Sequence, residues 1–219
     1  MQTLSLPTSS PTILCLGAHS DDIEIGCGGT LLQLLGQMPE ASVHWVVFSA
    51  EGDRVEEAQR GVELFAGDRA SAVQLHAFRD GFFPESFGEI KERFRDLQRS
   101  VNPDLVLTHW RGDLHQDHRL ISELTSQTFR NHLVLEYEIA KYDGDLGAPN
   151  VYVRLEESDA DRKADNLLAA FASQHDKYWF TPETFRALMR VRGVECRSSS
   201  GYAEAFYGNK LVLGAGAPA

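Results

Sequence analysis

Short apolar segments alternate with amphipathic segments along the N-terminal part of the chain. The apolar segments predict buried strands at residues 12–17, 42–49, 72–78 and 104–108. Between them, apolar residues recur at helical spacing and predict helices over 28–35, 54–66, 86–101 and 115–130. The C-terminal third is less regular. It predicts strands at 134–140, 150–154 and 205–213 and helices over 161–172 and 182–191.

This alternation of strand and helix is typical of an α/β protein with a mostly parallel sheet and helices on both faces. The right-handed crossover rule favours a Rossmann-like strand order, 3-2-1-4-5. The sequence contains no internal repeat and no linker that would divide it. We therefore predict a single domain over residues 12–213, with flexible tails at 1–11 and 214–219.

Composition narrows the choice of partners. The 219 residues include 21 Lys and Arg against 32 Asp and Glu, a net charge of −11, which disfavours nucleic acid and anionic lipid. No segment approaches the ~20 apolar residues of a membrane span. The three cysteines have no CxxC spacing and suggest reduced thiols in a cytoplasmic protein. The oligomeric state stays open, a homo-oligomer included.

Ionisable residues follow the first and the fourth predicted strands. They are His19, Asp21 and Asp22 after the first strand and His115, Asp117 and His118 after the fourth. In a 3-2-1-4-5 sheet these two strands are neighbours, and the chain order reverses between them. Ligand sites of open α/β sheets form at that point, outside the carboxyl ends of the strands. We therefore expect the two motifs to meet in one site.

The residue types of this site suit a catalytic zinc ion, although other divalent metals stay open. Such an ion takes three nitrogen or oxygen ligands and keeps one position free for water. His19 and Asp22 lie three residues apart across a tight loop and can face one ion, and His118 supplies the third ligand. A bound water with its pKa lowered to about 7 is then available for hydrolysis.

The remaining motif residues suggest acid and base groups. Asp21 stands beside a ligand but is expected to face the bound water, which suits a general base. His115 is expected to be oriented by the Asp117 carboxylate and, when protonated, to stabilise an oxyanion or to protonate a leaving amine. Together with an open metal site, these groups make amide hydrolysis a coherent reaction class.

Two further segments bear on the site. Residues 26–30 (GCGGT) lack the spacing of a dinucleotide or Walker phosphate loop, so we interpret them as a close-approach turn that packs the first helix against the metal loop. Residues 80–84 are a candidate lip of the pocket. The sequence assigns no definite role to His175, Tyr202 or Glu204, which we keep as further candidates for the pocket.

The motifs resemble those of the PIG-L/LmbE-like deacetylase family. AHSDDIEIGCGGT (residues 18–30) and HQDH (115–118) are similar to its A-H-P-D-D, G-x-G-G-T and H-x-D-H blocks. Weaker similarities extend over most of the chain, at residues 54–58, 102–106, 173–174 and 202–206. Ser20 replaces the usual proline, which loosens the turn but removes no ligand.

The resemblance implies specific roles for the motif residues. By it, His19, Asp22 and His118 match the zinc ligands, and Asp21 matches the general base. His115, with Asp117 behind it, matches the electrophilic or acid histidine. Arg54 matches a substrate-binding arginine.

The resemblance implies a zinc-dependent hydrolase that removes an acetyl group from the amine of an N-acetylated amino sugar. The substrate would be a small molecule of the N-acetylglucosamine type or a sugar conjugate, attacked by a zinc-activated water with Asp21 as general base. Whether Asp21 or His115 protonates the leaving amine stays open. The alternatives are another metal-dependent amidase, such as a thiol-conjugate amidase, a phosphoesterase, or a non-catalytic Rossmann-like module that binds a sugar or a nucleotide.

Overall fold

A seven-stranded sheet forms the centre of the computed structural model, which describes residues 1–6 and 8–212. The strands are β1 (Thr12–His19), β2 (Ser42–Ser49), β3 (Ala70–Leu75), β4 (Leu105–His109), β5 (Leu133–Tyr137), β6 (Val151–Leu155) and β7 (Tyr202–Gly208). Their order across the sheet is β3-β2-β1-β4-β5-β7-β6. The first five strands are parallel, and β7 runs antiparallel to both β5 and β6. The predicted 3-2-1-4-5 order is confirmed, and β7 and β6 extend it.

Six helices cover the sheet. They are α1 (Asp22–Gln37), α2 (Asp53–Phe65), α3 (Phe87–Ser100), α4 (Gln116–Thr128), α5 (Glu157–Ala170) and α6 (Pro182–Glu195). The two-residue period of β1 divides its side chains between two cores. Ile13 and Cys15 belong to the core under α1, α2 and α5, whereas Leu14 and Leu16 belong to the core under α3 and α4. The fold is therefore the predicted Rossmann-like α/β class.

The first helix differs from its prediction. It begins at Asp22, directly after β1, and not at residue 28. Cys27 interrupts it with non-helical angles (φ −144°, ψ 15°), so the glycine-rich segment is a kink inside α1. The predicted C-terminal tail, residues 214–219, lies outside the described residues, as does the last residue of the predicted strand 205–213.

A buried ion pair supplies the hydrogen bonds that the kink in α1 would otherwise lose. The Glu204 carboxylate accepts hydrogen bonds from the backbone N–H groups of Gly29 (2.9 Å) and Thr30 (2.6 Å). Lys163 Nζ donates to the Ile25 carbonyl at 2.6 Å and to Glu204 at 2.5 Å. Both charged side chains are almost fully buried. Glu204 therefore caps the second half of α1, which explains its position better than a role in a pocket.

The glycines of α1 allow close approach, but their neighbours are side chains of β5, α2 and β6 and not the metal loop that the sequence suggested. A Cβ on Gly26 would lie 2.1–2.7 Å from three ring atoms of Tyr137. That ring is fully buried, and its hydroxyl donates to the Leu16 carbonyl of β1 at 2.7 Å. Gly28 and Gly29 approach Phe65 and Leu155 in the same way. These contacts hold the start of α1 against the end of β1.

Within the described ranges, 1–6 and 8–212, every helix is too short or too polar to cross a bilayer.

Gly26→Ala tests this packing, with Gly36→Ala as its matched control in the same helix. The Gly26 variant should lose about 1–3 kcal/mol of unfolding free energy, because the added methyl group overlaps the Tyr137 ring. No atom lies within 4 Å of a Cβ at Gly36, so alanine there should stabilise the helix by up to about 1 kcal/mol. Urea unfolding measures both. Equal effects of the two substitutions would contradict the close approach.

Candidate metal centre and active-site cleft

The carboxyl ends of β1 and β4 place the two motifs side by side. These strands pair in parallel, with Cys15 opposite Leu107. His19 ends β1, and Asp22 is the first residue of α1. After β4, His115 caps the N-terminus of α4, and His118 lies in the first turn of that helix. Two loops that are distant in sequence therefore meet at one edge of the sheet.

The three predicted ligands form a small triangle of nitrogen and oxygen atoms. His19 Nδ1 lies 3.2 Å from His118 Nε2 and 3.2 Å from Asp22 Oδ2. His118 Nε2 lies 3.4 Å from Asp22 Oδ1. Ligands at zinc bond lengths of 2.0–2.1 Å in a tetrahedron are about 3.3 Å apart. The distances among the three residues are of this size, with Asp22 facing the two histidines through different carboxylate oxygens. The same cluster also brings His115 to donor-atom spacing with His19 and His118, and His109 to donor-atom spacing with Asp22 and His118.

Carboxylates hold the far nitrogen of each ligand imidazole. His118 Nδ1 lies 2.9 Å from Asp113 Oδ2. His19 Nε2 lies 2.9 Å from Asp80 Oδ1 and 3.3 Å from Asp117 Oδ2. Hydrogen bonds of this kind place the ring proton on the far nitrogen and leave the near one free for a metal. The sequence assigned no such role to Asp113 or Asp80, although the D-x-H-x-D-H spacing around Asp113 was an available signal.

Opposite charges in this cluster outweigh the effect of burial. Burial lowers the pKa of His19, but contacts with Asp22, Asp117 and Asp80 raise it well above its ordinary value. Burial likewise raises the pKa of Asp22, but the imidazoles around it bring that pKa well below its usual range. The pKa of the Asp113 carboxyl is lowered in the same way beside His118. In the described structure, the cluster thus stabilises negative carboxylates facing positive charge, which a cation can replace.

His109 is a site residue that the sequence analysis did not identify, because it belongs to neither of the two motifs. It ends β4, is fully buried, and stacks on the His118 ring with the ring centroids 3.9 Å apart. Burial and the charge of His118 lower its pKa to about 4. Its Nε2 accepts a hydrogen bond from the Ala18 N–H at 2.9 Å. The same Nε2 lies 3.2 Å from Asp22 Oδ2, and His109, Asp22 and His118 form a group of donor atoms close enough to hold a metal ion.

The expected pairing of the Asp117 carboxylate with His115 is not the arrangement found. That carboxylate accepts hydrogen bonds from the backbone N–H groups of Gly81 (2.7 Å) and Phe83 (3.1 Å), in addition to its contact with His19. Because Asp117 is in the first turn of α4, it faces the loop after β3. The prediction is corrected: Asp117 connects His19 to the residues 80–84, the predicted lip of the pocket.

The His115 ring is instead positioned as a neutral hydrogen-bond donor. Its Nδ1 accepts the Asp117 backbone N–H at 3.3 Å, so the proton of the neutral ring resides on Nε2. Burial, together with the charges of His118 and His19, lowers the pKa of His115. The ring packs 4.5 Å from the His118 ring and lines the cleft described below.

Asp21 stands outside the ligand triangle and is held by Arg54. The distance between Arg54 Nη2 and Asp21 Oδ1 is 3.1 Å. Arg54 also donates to Glu57 at 2.6 Å and lies over the ring of Phe171 at 5.6 Å. Burial lowers the pKa of Arg54, but Asp21 and Glu57 outweigh burial and raise it. Asp21 and Arg54 therefore face the cleft as a paired carboxylate and guanidinium.

A cleft of about 510 Å³ opens over these groups. Besides the ligand triangle, it is lined by Asp21, Ile25, Ser49, Glu51, Arg54, Asp80, His115, Ile139, Lys141, Tyr142, Asp143, Gln174, Lys177 and Trp179. Its volume suits a small organic ligand. Two of the further candidates lie elsewhere. The Tyr202 hydroxyl accepts a hydrogen bond from Arg186 at 2.7 Å, and the exposed His175 lies against the Leu168 carbonyl at 2.9 Å.

Comparison with known families identifies the family to which the chain belongs. Residues 14–129, more than half of the sequence, match the model of the PIG-L family, GlcNAc-PI de-N-acetylase. The chain belongs to this family. A search of curated proteins finds no significant match.

Solved structures share the fold at low sequence identity. The conserved protein TT1542 from Thermus thermophilus has a TM-score of 0.73 at 21% identity, over 93% of this chain and 96% of that chain. The N,N'-diacetylchitobiose deacetylase of Pyrococcus horikoshii has a TM-score of 0.70 at 20% identity, over 94% and 87%. GalB, the 4-carboxy-2-hydroxymuconate hydratase of Pseudomonas putida, has a TM-score of 0.67 at 18% identity, over 94% and 99%. At such identities the similarity establishes the fold alone.

Asp113→Asn tests whether a carboxylate behind His118 supports metal binding. The substitution removes the charge that fixes the His118 tautomer, so affinity for Zn²⁺ should fall about 10–100-fold in a titration against a chelator. Asp143→Asn is the matched control, because Asp143 also lies near Lys141 (3.9 Å) but contacts no imidazole in the described structure. Equal zinc affinities in the two variants would contradict a role of Asp113 in metal binding.

Proposed function

We propose that the protein is a zinc-dependent hydrolase that removes the acetyl group from the nitrogen of an N-acetylated amino sugar or sugar conjugate. The observation that carries this proposal is the triangle of His19 Nδ1, Asp22 and His118 Nε2, with 3.2–3.4 Å between donor atoms, at the floor of a cleft. Membership of the GlcNAc-PI de-N-acetylase family supports it. The shared fold with a chitobiose deacetylase agrees with it.

His19, Asp22 and His118 would hold the zinc ion through one nitrogen of each imidazole and the Asp22 carboxylate. When bound there, zinc supplies a Lewis acid that polarises the acetamide carbonyl and acidifies water. Three carboxylates outside the triangle keep the two imidazoles in the required tautomers. These are Asp113 for His118 and Asp80 and Asp117 for His19.

The protein's own acid and base groups complete the reaction. Asp21, held beside Arg54, takes a proton from the attacking water. The Nε2–H of neutral His115 donates a hydrogen bond to the oxygen that becomes negative as water adds to the carbonyl. Asp21 then returns its proton to the sugar nitrogen as the C–N bond breaks. The products are acetate and a free amine.

Arg54 is proposed to act both on Asp21 and on the substrate. Its guanidinium contacts the Asp21 carboxylate and also lines the cleft. A guanidinium in this position keeps the carboxylate oriented toward the ligand triangle and presents further N–H donors to sugar hydroxyl groups. We assign it as a substrate-binding residue on this basis.

The hydratase among the structural relatives favours a second candidate, addition of water to a carbon–carbon double bond. GalB has the same fold and is named as a 4-carboxy-2-hydroxymuconate hydratase. The two candidates differ in their product, because only amide hydrolysis releases acetate. A thiol-conjugate amidase would also cleave an amide, but its substrate would carry a thiol.

The first experiment is an activity screen on zinc-loaded protein, with metal content measured by elemental analysis. We expect about one zinc ion per chain and acetate release from N-acetylated sugars or sugar nucleotides. Acetate release from none of these, combined with hydration of an unsaturated acid, would replace the proposal with the second candidate.

Asp21→Asn and His118→Ala separate catalysis from metal binding. Asp21→Asn should keep its zinc and lose about 10²–10⁴-fold in kcat, because the base is removed and the ligands remain. His118→Ala should lose zinc as well as activity. Asp68→Asn, on an exposed side chain, is the control and should change neither property. Loss of zinc from the Asp21 variant, or full zinc in the His118 variant, would contradict the roles assigned here.

A further inference from the structure

Three aromatic side chains stand together at the mouth of the cleft. Tyr142 is 61% exposed and Tyr178 is 79% exposed. The Tyr142 ring lies 5.5 Å from the ring of Tyr178 and 6.1 Å from that of Trp179, between centroids. Tyr142 and Trp179 line the same cleft as the ligand triangle. We refer to Tyr142, Tyr178 and Trp179 as the aromatic rim.

Packing of the fold accounts for Trp179, which is partly buried against the main core, but not for the exposed rings of Tyr142 and Tyr178. The segment that carries Tyr178 and Trp179 also carries Phe171 and Phe180, and these two rings are buried in the main core at 0% and 2% exposure. The segment thus contributes phenylalanine to the core and leaves Tyr178 in solvent. Large exposed aromatic rings that adjoin a ligand cleft are typical of binding surfaces.

Polar groups around the rim indicate the kind of ligand. Lys177, Asp143 and Gln174 line the cleft beside the aromatic residues, and Lys177 Nζ lies 5.9 Å from the Trp179 ring. A lipid chain would require a continuous apolar surface, which these groups interrupt. A pyranose ring has an apolar C–H face and a polar edge of hydroxyl groups. Aromatic rings surrounded by amide and charged groups match both parts of such a ring.

We propose that the aromatic rim binds a second sugar ring of the substrate by stacking, so that the substrate is an oligosaccharide or a glycoside and not a free monosaccharide. This inference rests on the proposed function, which places the N-acetylated sugar at the ligand triangle. The next ring of the chain then extends out of the cleft toward Tyr142 and Tyr178. Specificity for the length of the substrate resides in these two tyrosines.

The kinetic test compares N-acetylglucosamine with N,N'-diacetylchitobiose on the zinc-loaded full chain. The unmodified protein should have a higher kcat/KM for acetate release from the disaccharide. In the double variant Tyr142→Ala, Tyr178→Ala, kcat/KM should fall about tenfold more for the disaccharide than for the monosaccharide. The double variant to Phe should retain the preference, because the rings remain. Phe87→Ala, on a 37% exposed ring outside the cleft lining, is the control and should have no effect.

A binding test keeps the inference separate from catalysis. Trp45 is fully buried and Trp110 stacks on Tyr207, so a sugar at the rim should alter the emission of Trp179. The disaccharide should change tryptophan fluorescence with an apparent Kd about tenfold lower than in the double alanine variant. Trp179→Phe should abolish the signal.

The outcomes distinguish the two proposals. If the monosaccharide and the disaccharide are hydrolysed equally well by every variant, the rim proposal is overturned and the deacetylase proposal stands. An equal loss for both sugars in the alanine variant also overturns it, because the rim then supports the cleft as a whole. If neither sugar releases acetate, the deacetylase proposal fails, and the fluorescence titration alone decides whether the rim binds a sugar.

Discussion

Parallel pairing of β1 with β4 is the constraint on which the candidate site depends. It brings His19 to within 3.2 Å of His118, although the two residues are 99 positions apart in the sequence. Each strand ends in a histidine, His19 on β1 and His109 on β4. A helix begins a few residues after each strand, so the proposed ligands are carried by rigid elements and not by long loops. Ligand atoms held in this way need little reordering when a cation binds.

The C-terminal third of the chain supports this arrangement from behind. Strand β7 carries Glu204, and α5 carries Lys163, and both reach across to the kink of α1. Since Asp22 opens that helix, the position of a proposed metal ligand depends on residues far along the sequence. Removing one partner of such a buried pair leaves the other charge unsatisfied, which costs several kcal/mol in general. The last strand thus contributes to the site without lining its cleft.

The sequence predicted the fold and the location of the candidate site, but not every contact within it. Strand periodicity and the crossover rule were sufficient for the order of the first five strands. The sequence analysis interpreted the glycines of α1 as a turn. The spacing of glycines in a sequence does not show whether they allow a positive φ or a close contact with another side chain. The side chains that Gly26 and Gly28 accommodate, Tyr137 and Phe65, come from distant elements. Only the packed structure could therefore reveal the kink.

The spacing of charged residues in the sequence likewise did not predict which of them pair in the structure. Asp117 lies between two histidines, yet the first turn of α4 directs its carboxylate toward the loop after β3. The partner of His118 is Asp113, five residues earlier, and its neighbour is His109 at the end of a strand. Each of these contacts depends on the direction in which a side chain points at the end of a helix or strand. That direction is set by the folded structure and not by the number of residues between two side chains in the sequence.

The Asp117 side chain has a mechanical consequence for the cleft. One carboxylate holds both the imidazole of His19 and the backbone of residues 81 and 83. A displacement of this backbone therefore alters a contact of His19, so that the loop after β3 and the His19 imidazole are mechanically coupled through a single acidic group.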